Sequence, residues 1–556
     1  MANEFSRNNF RVTPKAELVP IQVAGSSTFG RYNKIASGLT YNMFISDSWL
    51  VNFAGYKRVI EMIADNVGEG RGLFHSARGD ILIAVIGSIV FQITSDLNYS
   101  QIGILTTSSG EVFIDENLNN QICIVDGAQA YIYNYKTVTG IVPQTSVTFN
   151  PSYVCFHNTY FLFGNNSREN VGAFWYAYVY DAADTSGASI KQQTQLALST
   201  KPDFAIAVTR LPGQANNVLV FGTGVCEIWT QVGGLENYRR NSSVNIDYGC
   251  RSVSTIAAND QYTAWLGANE NNSPVIMVYS QSSGLTRIST DGIDYLLDSI
   301  RFPEDSTAMF YKQDGHLFYH ITFFNPADNL TLVYDFNTQK FFNLSDQGGD
   351  YHPARSMVYF NNAPYFISLN NASLYVTSTN FTTYNENLGN DPALFNSEIN
   401  YEIPRTRICE SIRKPDSGRF VANSFVLTMA QGDDPYTTGA DSAPGSQDDI
   451  ITESGSPIVT QTGSQMVTQN SGTGGGSYPY FNNNVTTVYR PRIDMAISKD
   501  GGTTWSNYVA RALNPIGKRK NIITWNNMGA ANDLTIKLRM NGLSSFVMSD
   551  GLVEIY

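Results

Sequence analysis

The feature that most constrains this chain is a β-hairpin that keeps recurring. Paired runs of aromatic and β-branched residues, joined by Gly, Asn and Asp turns, occur at Asp80 to Ile93, Gln121 to Tyr135, Asn158 to Tyr180, Asn217 to Trp229, Gln261 to Tyr279, Gly315 to Phe336 and Ala363 to Val376. Their starts lie roughly 40 to 60 residues apart, the spacing of four-stranded propeller blades. The clearest unit is Asp314 to Phe336, which opens on the turn pair Asp314-Gly315, turns again at Asn325-Pro326 and Asp328-Asn329, and returns as Leu330 to Phe336. Further short strands precede the hairpins (Tyr153 to Phe156, Ser252 to Ala257, Ala308 to Tyr311, Ser356 to Tyr359) or follow them (Leu285 to Ile288, Lys340 to Asn343). Seven such units read as a β-propeller of about seven blades, six if one unit is misread. Radial closure leaves only short, protected sheet edges. The rival arrangement, stacked β-sandwich domains, predicts less regular spacing.

The hairpins occupy 56–404, which defines the propeller domain; 1–55 is expected to be an extended arm strapping onto the rest of the chain or a neighbouring subunit. Near residue 400 the texture changes. Arg405, Arg407, Arg413, Lys414 and Arg419 cluster ahead of the apolar strand Phe425 to Met429, and an insertion rich in Gly, Ser, Thr and Gln fills 431–484. Within it Ile458 to Thr460 and Gln465 to Thr468 carry enough β-formers for a two-stranded finger. After it, Thr487 to Ser498, Ser506 to Arg511, Asn521 to Trp525, Leu534 to Met540 and Phe546 to Tyr556 read as strands of a β-sandwich, so 405–556 is a sandwich domain with an insertion. The fold class is all-β.

Composition sets the function classes. With 42% hydrophobic residues in a chain of 556, a large core is available. The net charge of -12 argues against a sequence-reading nucleic-acid binder, though an acidic conduit would let DNA slide past. The five cysteines (Cys123, Cys155, Cys226, Cys250, Cys409) have no regular spacing and read as small buried residues of a chain that matures in a reducing compartment. No apolar run follows the first charges, so no signal peptide is expected, and Ile81 to Val90 is too short to span a bilayer.

Motifs with chemical meaning are few. Ser498, Asp500, Gly502 and Trp505 fit the Asp-box pattern, in which Asp and Ser side chains tie a hairpin turn; it is a folding device. Arg78-Gly79-Asp80 precedes a strand, where Gly and Asp are ordinary turn residues. His316 and His320, four apart on a strand, sit about 13 Å from each other and cannot share a metal. Gly68 to Gly72 lacks the Lys-Ser/Thr of a phosphate loop. No catalytic, cofactor-binding or metal-ligating set is legible, because a Ser/His/Asp constellation meets in space and not along the chain. The basic residues of 405–419 and of Lys518-Arg519-Lys520 suit either a solvated face or contact with phosphate or an acidic surface.

The order of several segments resembles the tail-hub, or nozzle, proteins of short-tailed bacteriophages, the packaged-DNA stabilisation family. These are Thr40-Tyr41-Asn42-Met43 with Ala54-Gly55-Tyr56, the hairpin Val218 to Gly234, Gly249-Cys250-Arg251, the HLFYHITFF and LVYDFNTQKFFNL unit, and the closing ISKDGGTTWS, LTIKLRMNG and GLVEIY. The long insertion departs from the shorter members. The resemblance implies a virion tail protein, assembled in the host cytoplasm, that forms a hexameric ring below the portal and its adaptor. Such a ring extends the DNA channel, retains the genome, and docks fibres or spikes, with duplex DNA passing its lumen without sequence recognition. It implies no enzyme activity, no cofactor and no stable membrane insertion. On that reading Ile458, Val459, Gln465, Met466 and Val467 form a gate or lumen loop, and Arg405, Arg407, Arg413, Lys414 and Arg419 an inter-subunit or adaptor contact. The competing reading is a propeller glycosidase or sialidase, or a glycan-binding adhesin, for which a single Asp-box is thin support.

Overall fold

The computed structural model describes residues 16–30, 38–63, 68–167, 170–233, 237–269, 271, 273–386, 400–415, 418–431, 448–449, 467–468, 492–513, 520–541 and 545–556. Seven antiparallel units follow one another around an axis. Blade one is built from Gly70–Ser76, Ile81–Ile86, Ile89–Thr94 and Tyr99–Ile104. Blade two runs from Phe113–Glu116 to Val142–Pro143, blade three from Pro151–His157 to Ile190–Ala197, and blade four from Ala207–Arg210 to Tyr238–Arg240. Blade five splits its first strand into Gly249–Cys250 and Ala257–Ala258, both on Tyr262–Ala268. Blade six comprises Ser306–Gln313, His316–Phe323, Leu330–Asp335 and Lys340–Leu344. Between blades five and six lies the short helix Asp291–Asp298, whose N-terminus is capped by the Thr290 side chain.

Blade seven has only three consecutive strands, Ala354–Phe360, Ala363–Ser368 and Ser373–Ser378. Its fourth is Gly55–Glu61, which lies ahead of blade one in the chain and pairs antiparallel with Ser373–Ser378. The ring is therefore closed by hydrogen bonds between residues some three hundred positions apart.

Strand alternation builds the seams. In Ile81–Ile86, Leu82, Ala84 and Ile86 pack against blade seven, while Ile81, Ile83 and Val85 pack against blade two. Burial on both faces is why this strand reads as an unbroken apolar run. Separate buried clusters fill the remaining seams, with Trp175 and Trp229 between blades three and four, and Trp265 between four and five. The seam between six and seven is rich in aromatic rings: Tyr56 stacks on Tyr384 at 4.3 Å and meets Tyr375 and Phe366 edge-on. At the tip of the Asp314 hairpin, φ of 49° at Asp314 and 85° at Gly315 form the left-handed pair that matches strand twist.

The sandwich draws on both ends of the chain. One sheet orders Met43–Ser46, Trp49–Asn52, Phe546–Ile555, Phe420–Gln431 and Lys520–Ala531, with Glu17–Ile21 paired to the last ten-residue strand. The other orders Leu39–Tyr41, Arg405–Ile408, Thr535–Asn541, Arg492–Ser498 and Val509–Ala512. Leu39–Tyr41 also runs parallel beside Lys340–Leu344, so blade six and this sheet form one nine-stranded surface. Phe318, Val333 and Phe342 of blade six belong to the same apolar cluster as Phe425, Leu538 and Val553 of the sandwich. The sequence alone places the sandwich in 405–556 and expects 1–55 to strap onto the rest of the chain or a neighbour; in the structure this segment pairs with the chain itself, as strands within the sandwich sheets. The difference arises because the N-terminal strands are three to five residues long and carry no period of their own.

Leu374 is fully buried opposite Ile60 in the closing pair. Leu374→Ala is expected to lower stability by about 2–5 kcal/mol, read as a lower urea midpoint at unchanged slope.

Candidate functional site

Charged side chains meet around the propeller axis, where first strands of successive blades lie against one another. Arg355, in the first strand of blade seven, reaches past blade one to Glu111 at the entrance of blade two, 4.0 Å away. Arg210, ending the first strand of blade four, reaches past blade three to Asp115 of blade two at 3.6 Å. The Phe156 amide of blade three donates to Asp115 at 2.7 Å, and the Thr307 hydroxyl of blade six to the Arg355 carbonyl at 2.9 Å. Beside them buried Arg71 donates to the carbonyls of Gly87, Thr107, Ser109 and Gly110. Burial pushes the Glu111 carboxyl up to about 8 against the pull of Arg355, and raises Asp115 against the pull of Arg210. The two ion pairs tie blade two to blades seven and four, each past the blade between.

The basic cluster divides in two. Arg405 and Arg407, expected at a surface facing a neighbour, are instead buried, at 0% and 1% exposure. Alternate residues of one strand share a face, and here that face looks inward. Arg405 lies over the Phe546 ring and donates to the Thr382 carbonyl. Arg407 donates to the carbonyls of Ser26 and Gln22 and to the Thr40 hydroxyl, at 2.9 to 3.1 Å, stapling the N-terminal segment to the sandwich. Gly25 lies so close to it that an added Cβ would fall 2.0 Å from the guanidinium. Arg413 and Arg419 are exposed and Lys414 half-buried, Arg413 donating to Asp533 at 2.9 Å.

Of the expected gate residues, Ile458, Val459, Gln465 and Met466 lie outside the described residues. Val467 stands in a two-residue strand whose partner is Asp448–Asp449. The Asp-box turn joins two sandwich strands, not two propeller strands. Asp500 accepts from the Ser498 hydroxyl and the Thr503 and Thr504 amides, the Gly502 amide donates to Ser498, and Trp505 packs against Gly502 below a lysine. These bonds, led by those from Thr504, hold the Asp500 carboxyl down at about 2. Arg78 is tied to the Leu118 carbonyl of blade two at 2.6 Å.

The histidines are all placed by packing or hydrogen bonds. His320 and His352 lie ring to ring at 5.4 Å in the seam of blades six and seven, and burial keeps both neutral, His352 at about 3. His157 bonds the Tyr238 hydroxyl at 2.8 Å. His316 is different: one ring nitrogen meets Asp335 at 2.9 Å and the other meets Ser46 at 3.4 Å. Nothing in the sequence joined these three. Asp335 could have been found from the hairpin register, but Ser46 lies 270 residues away. A groove of about 460 Å³ opens at His316. Among the described residues no group of three or more His, Cys, Asp or Glu side chains could hold a metal ion.

Seven blades closed by an N-terminal strand, and fused through one sheet to a sandwich, define a propeller-sandwich protein. A family model described as "Bacteriophage P22 Gp10, beta-propeller" matches residues 32–381, and the chain belongs to this phage stabilisation family: it is a phage structural β-propeller protein. No curated protein matches the chain. Among solved structures it is similar to a streptogramin B lyase, at 10% identity and a TM-score of 0.38, covering 60% of this chain and 99% of that one. Virginiamycin B lyase from Staphylococcus aureus gives 11%, 0.39, 59% and 99%, and the WD40 propeller of Doa1 gives 11%, 0.37, 59% and 97%. Likeness at these scores carries no argument about chemistry. No helix among the described residues is long and apolar enough to cross a membrane.

Two outcomes are expected here. Glu111→Gln should flatten part of the pH dependence of melting. A carboxyl raised from 4.5 to about 8 leaves the folded state holding more protons than the unfolded one, so its contribution is full below pH 4.5 and is lost as pH rises to about 8. The difference in Tm between wild type and variant across that window checks it. Arg407→Ala strands three oxygen acceptors and should cost roughly 3 kcal/mol, the scale of hydrogen bonds to a buried charge, with earlier proteolysis of the N-terminal segment.

Proposed function

We propose that the chain is a tail hub: a ring of copies, six by family resemblance, seated below the portal and its adaptor, that extends the DNA channel, retains the packaged genome and docks fibres or spikes. The observation that carries this reading is the family match over 32–381. The net charge of -12 suits a conduit that repels phosphate. Within this reading Arg413, Lys414 and Arg419 are candidates for contact with a neighbouring copy or the adaptor, the stretch 450–470 of the insertion is the candidate lumen-facing or distal gate, and the protein resides in the virion tail after assembly in the host cytoplasm.

Electron microscopy of the purified chain and of virions checks the ring; a protein that stays monomeric at virion-like local concentration and is missing from tails would sink the reading. Particles carrying a deletion of 435–482 are expected to assemble tails yet lose DNA, and normal retention and infectivity would remove the gate assignment alone.

A further inference from the structure

We infer that the junction of blade six and the sandwich is a serine-hydrolase site acting on carboxylic esters, with Ser46 as nucleophile, His316 as base and Asp335 as the residue that positions the base. The proposal stands apart from the hub reading, which needs no chemistry.

The constellation is assembled from three strands. Phe44 and Ser46, two apart in Met43–Ser46, share the face turned to blade six, and Phe44 meets the His316 ring edge-on at 5.1 Å. His316 begins His316–Phe323, and Asp335 ends the neighbouring strand opposite Phe318, which sets Asp335 diagonally across from the imidazole. Asp335 is fully buried. Its Oδ1 accepts from the Asn337 amide at 2.9 Å, and its Oδ2 accepts from the Thr338 hydroxyl at 2.7 Å and faces His316 Nδ1 at 2.9 Å. A carboxylate on Nδ1 fixes the proton there and leaves Nε2 as the acceptor that faces Ser46 Oγ at 3.4 Å. That last distance is long, as nucleophile-base contacts often are before substrate binds.

Two backbone amides that could serve an oxyanion follow the nucleophile in the chain. Ser46 pairs with Trp49 across a two-residue turn, and φ of 48° at Asp47 and 74° at Ser48 mark it as the tight left-handed type. The Asp47 and Ser48 amides have no hydrogen-bond partner among the described residues. The Asp47 amide directly follows the nucleophile, the relation found in the nucleophile elbow of hydrolases. Of the three residues only His316 lines the groove of about 460 Å³, together with Tyr262, Phe336, Tyr359, Lys312 and Asp314, so that groove meets the constellation on the side of the base. Its volume is that of a small-molecule site. Aromatic walls beside an ammonium, a carboxylate and amides suit an ester of a polar alcohol better than a long apolar chain.

In the reaction Ser46 Oγ bonds to the ester carbonyl carbon as its proton passes to His316 Nε2. The tetrahedral adduct expels the alkoxide, which takes that proton and leaves as the alcohol. Water then attacks acyl-Ser46, gives a proton to Nε2 and releases the carboxylic acid, while the Nε2 proton returns to Ser46.

The test uses the full chain, a fluorophosphonate probe and p-nitrophenyl acetate. The expected result is labelling at Ser46, lost on heat denaturation and in His316→Gln, with ester turnover that falls at least about 100-fold in Ser46→Ala while Tm is unchanged. Asp335→Asn should lower kcat with little change in KM, which simple loosening of the turn would not do selectively. Absence of probe at Ser46 in the folded protein, or turnover that survives Ser46→Ala, overturns the proposal.

Discussion

The antiparallel pairing of Gly55–Glu61 with Ser373–Ser378 is the constraint on which the molecule depends. Without it blade seven has three strands, the apolar wall that Ile367 and Leu374 present to blade one loses Ile60, and the ring has two open edges. Because the closing strand continues straight from Met43–Ser46 and Trp49–Asn52, the same segment that seals the propeller is anchored in the sandwich. Closure and domain attachment are therefore one event in the structure, and the two parts cannot be treated as beads on a linker.

That coupling explains the burial of Arg407. A strand as short as Leu39–Tyr41, placed between blade six and Arg405–Ile408, makes few ladder bonds of its own. The guanidinium supplies further bonds, to the backbone of Gln22 and Ser26 ahead of that strand and to the Thr40 hydroxyl within it, from a group that cannot lose its charge. Asn42 adds to the same joint: its amide reaches Ser345 Oγ and the Pro404 carbonyl, each at 2.9 Å, joining blade six to the start of the sandwich.

How far the sequence was readable follows from which interactions are local. The blades were legible because each hairpin pairs with itself, and strands buried on both faces, such as Ile81–Ile86 and His316–Phe323, leave long apolar signatures. The Asp-box turn was legible for the same reason. Leu39–Tyr41 was not, since its partners Asn343 and Arg407 lie hundreds of positions away. Arg405 and Arg407 misled because charge ordinarily marks a surface; the alternation Arg-x-Arg within a strand, with Gly25 able to admit a guanidinium, was the only clue. Ser46 carried no local signal at all, being an unremarkable serine before a turn.

The pairing of Glu17–Ile21 with Ile555 to Gly551 has a consequence in time. Glu17–Ile21 waits for a strand synthesised more than five hundred residues later, and a contact of such sequence separation is slow to form. The propeller hairpins can collapse as they emerge, but the sandwich is held open until Phe546–Ile555 has been made. A chain shorter than that has no finished sandwich surface to offer a neighbour, so any contact made through that surface follows the completion of the sandwich.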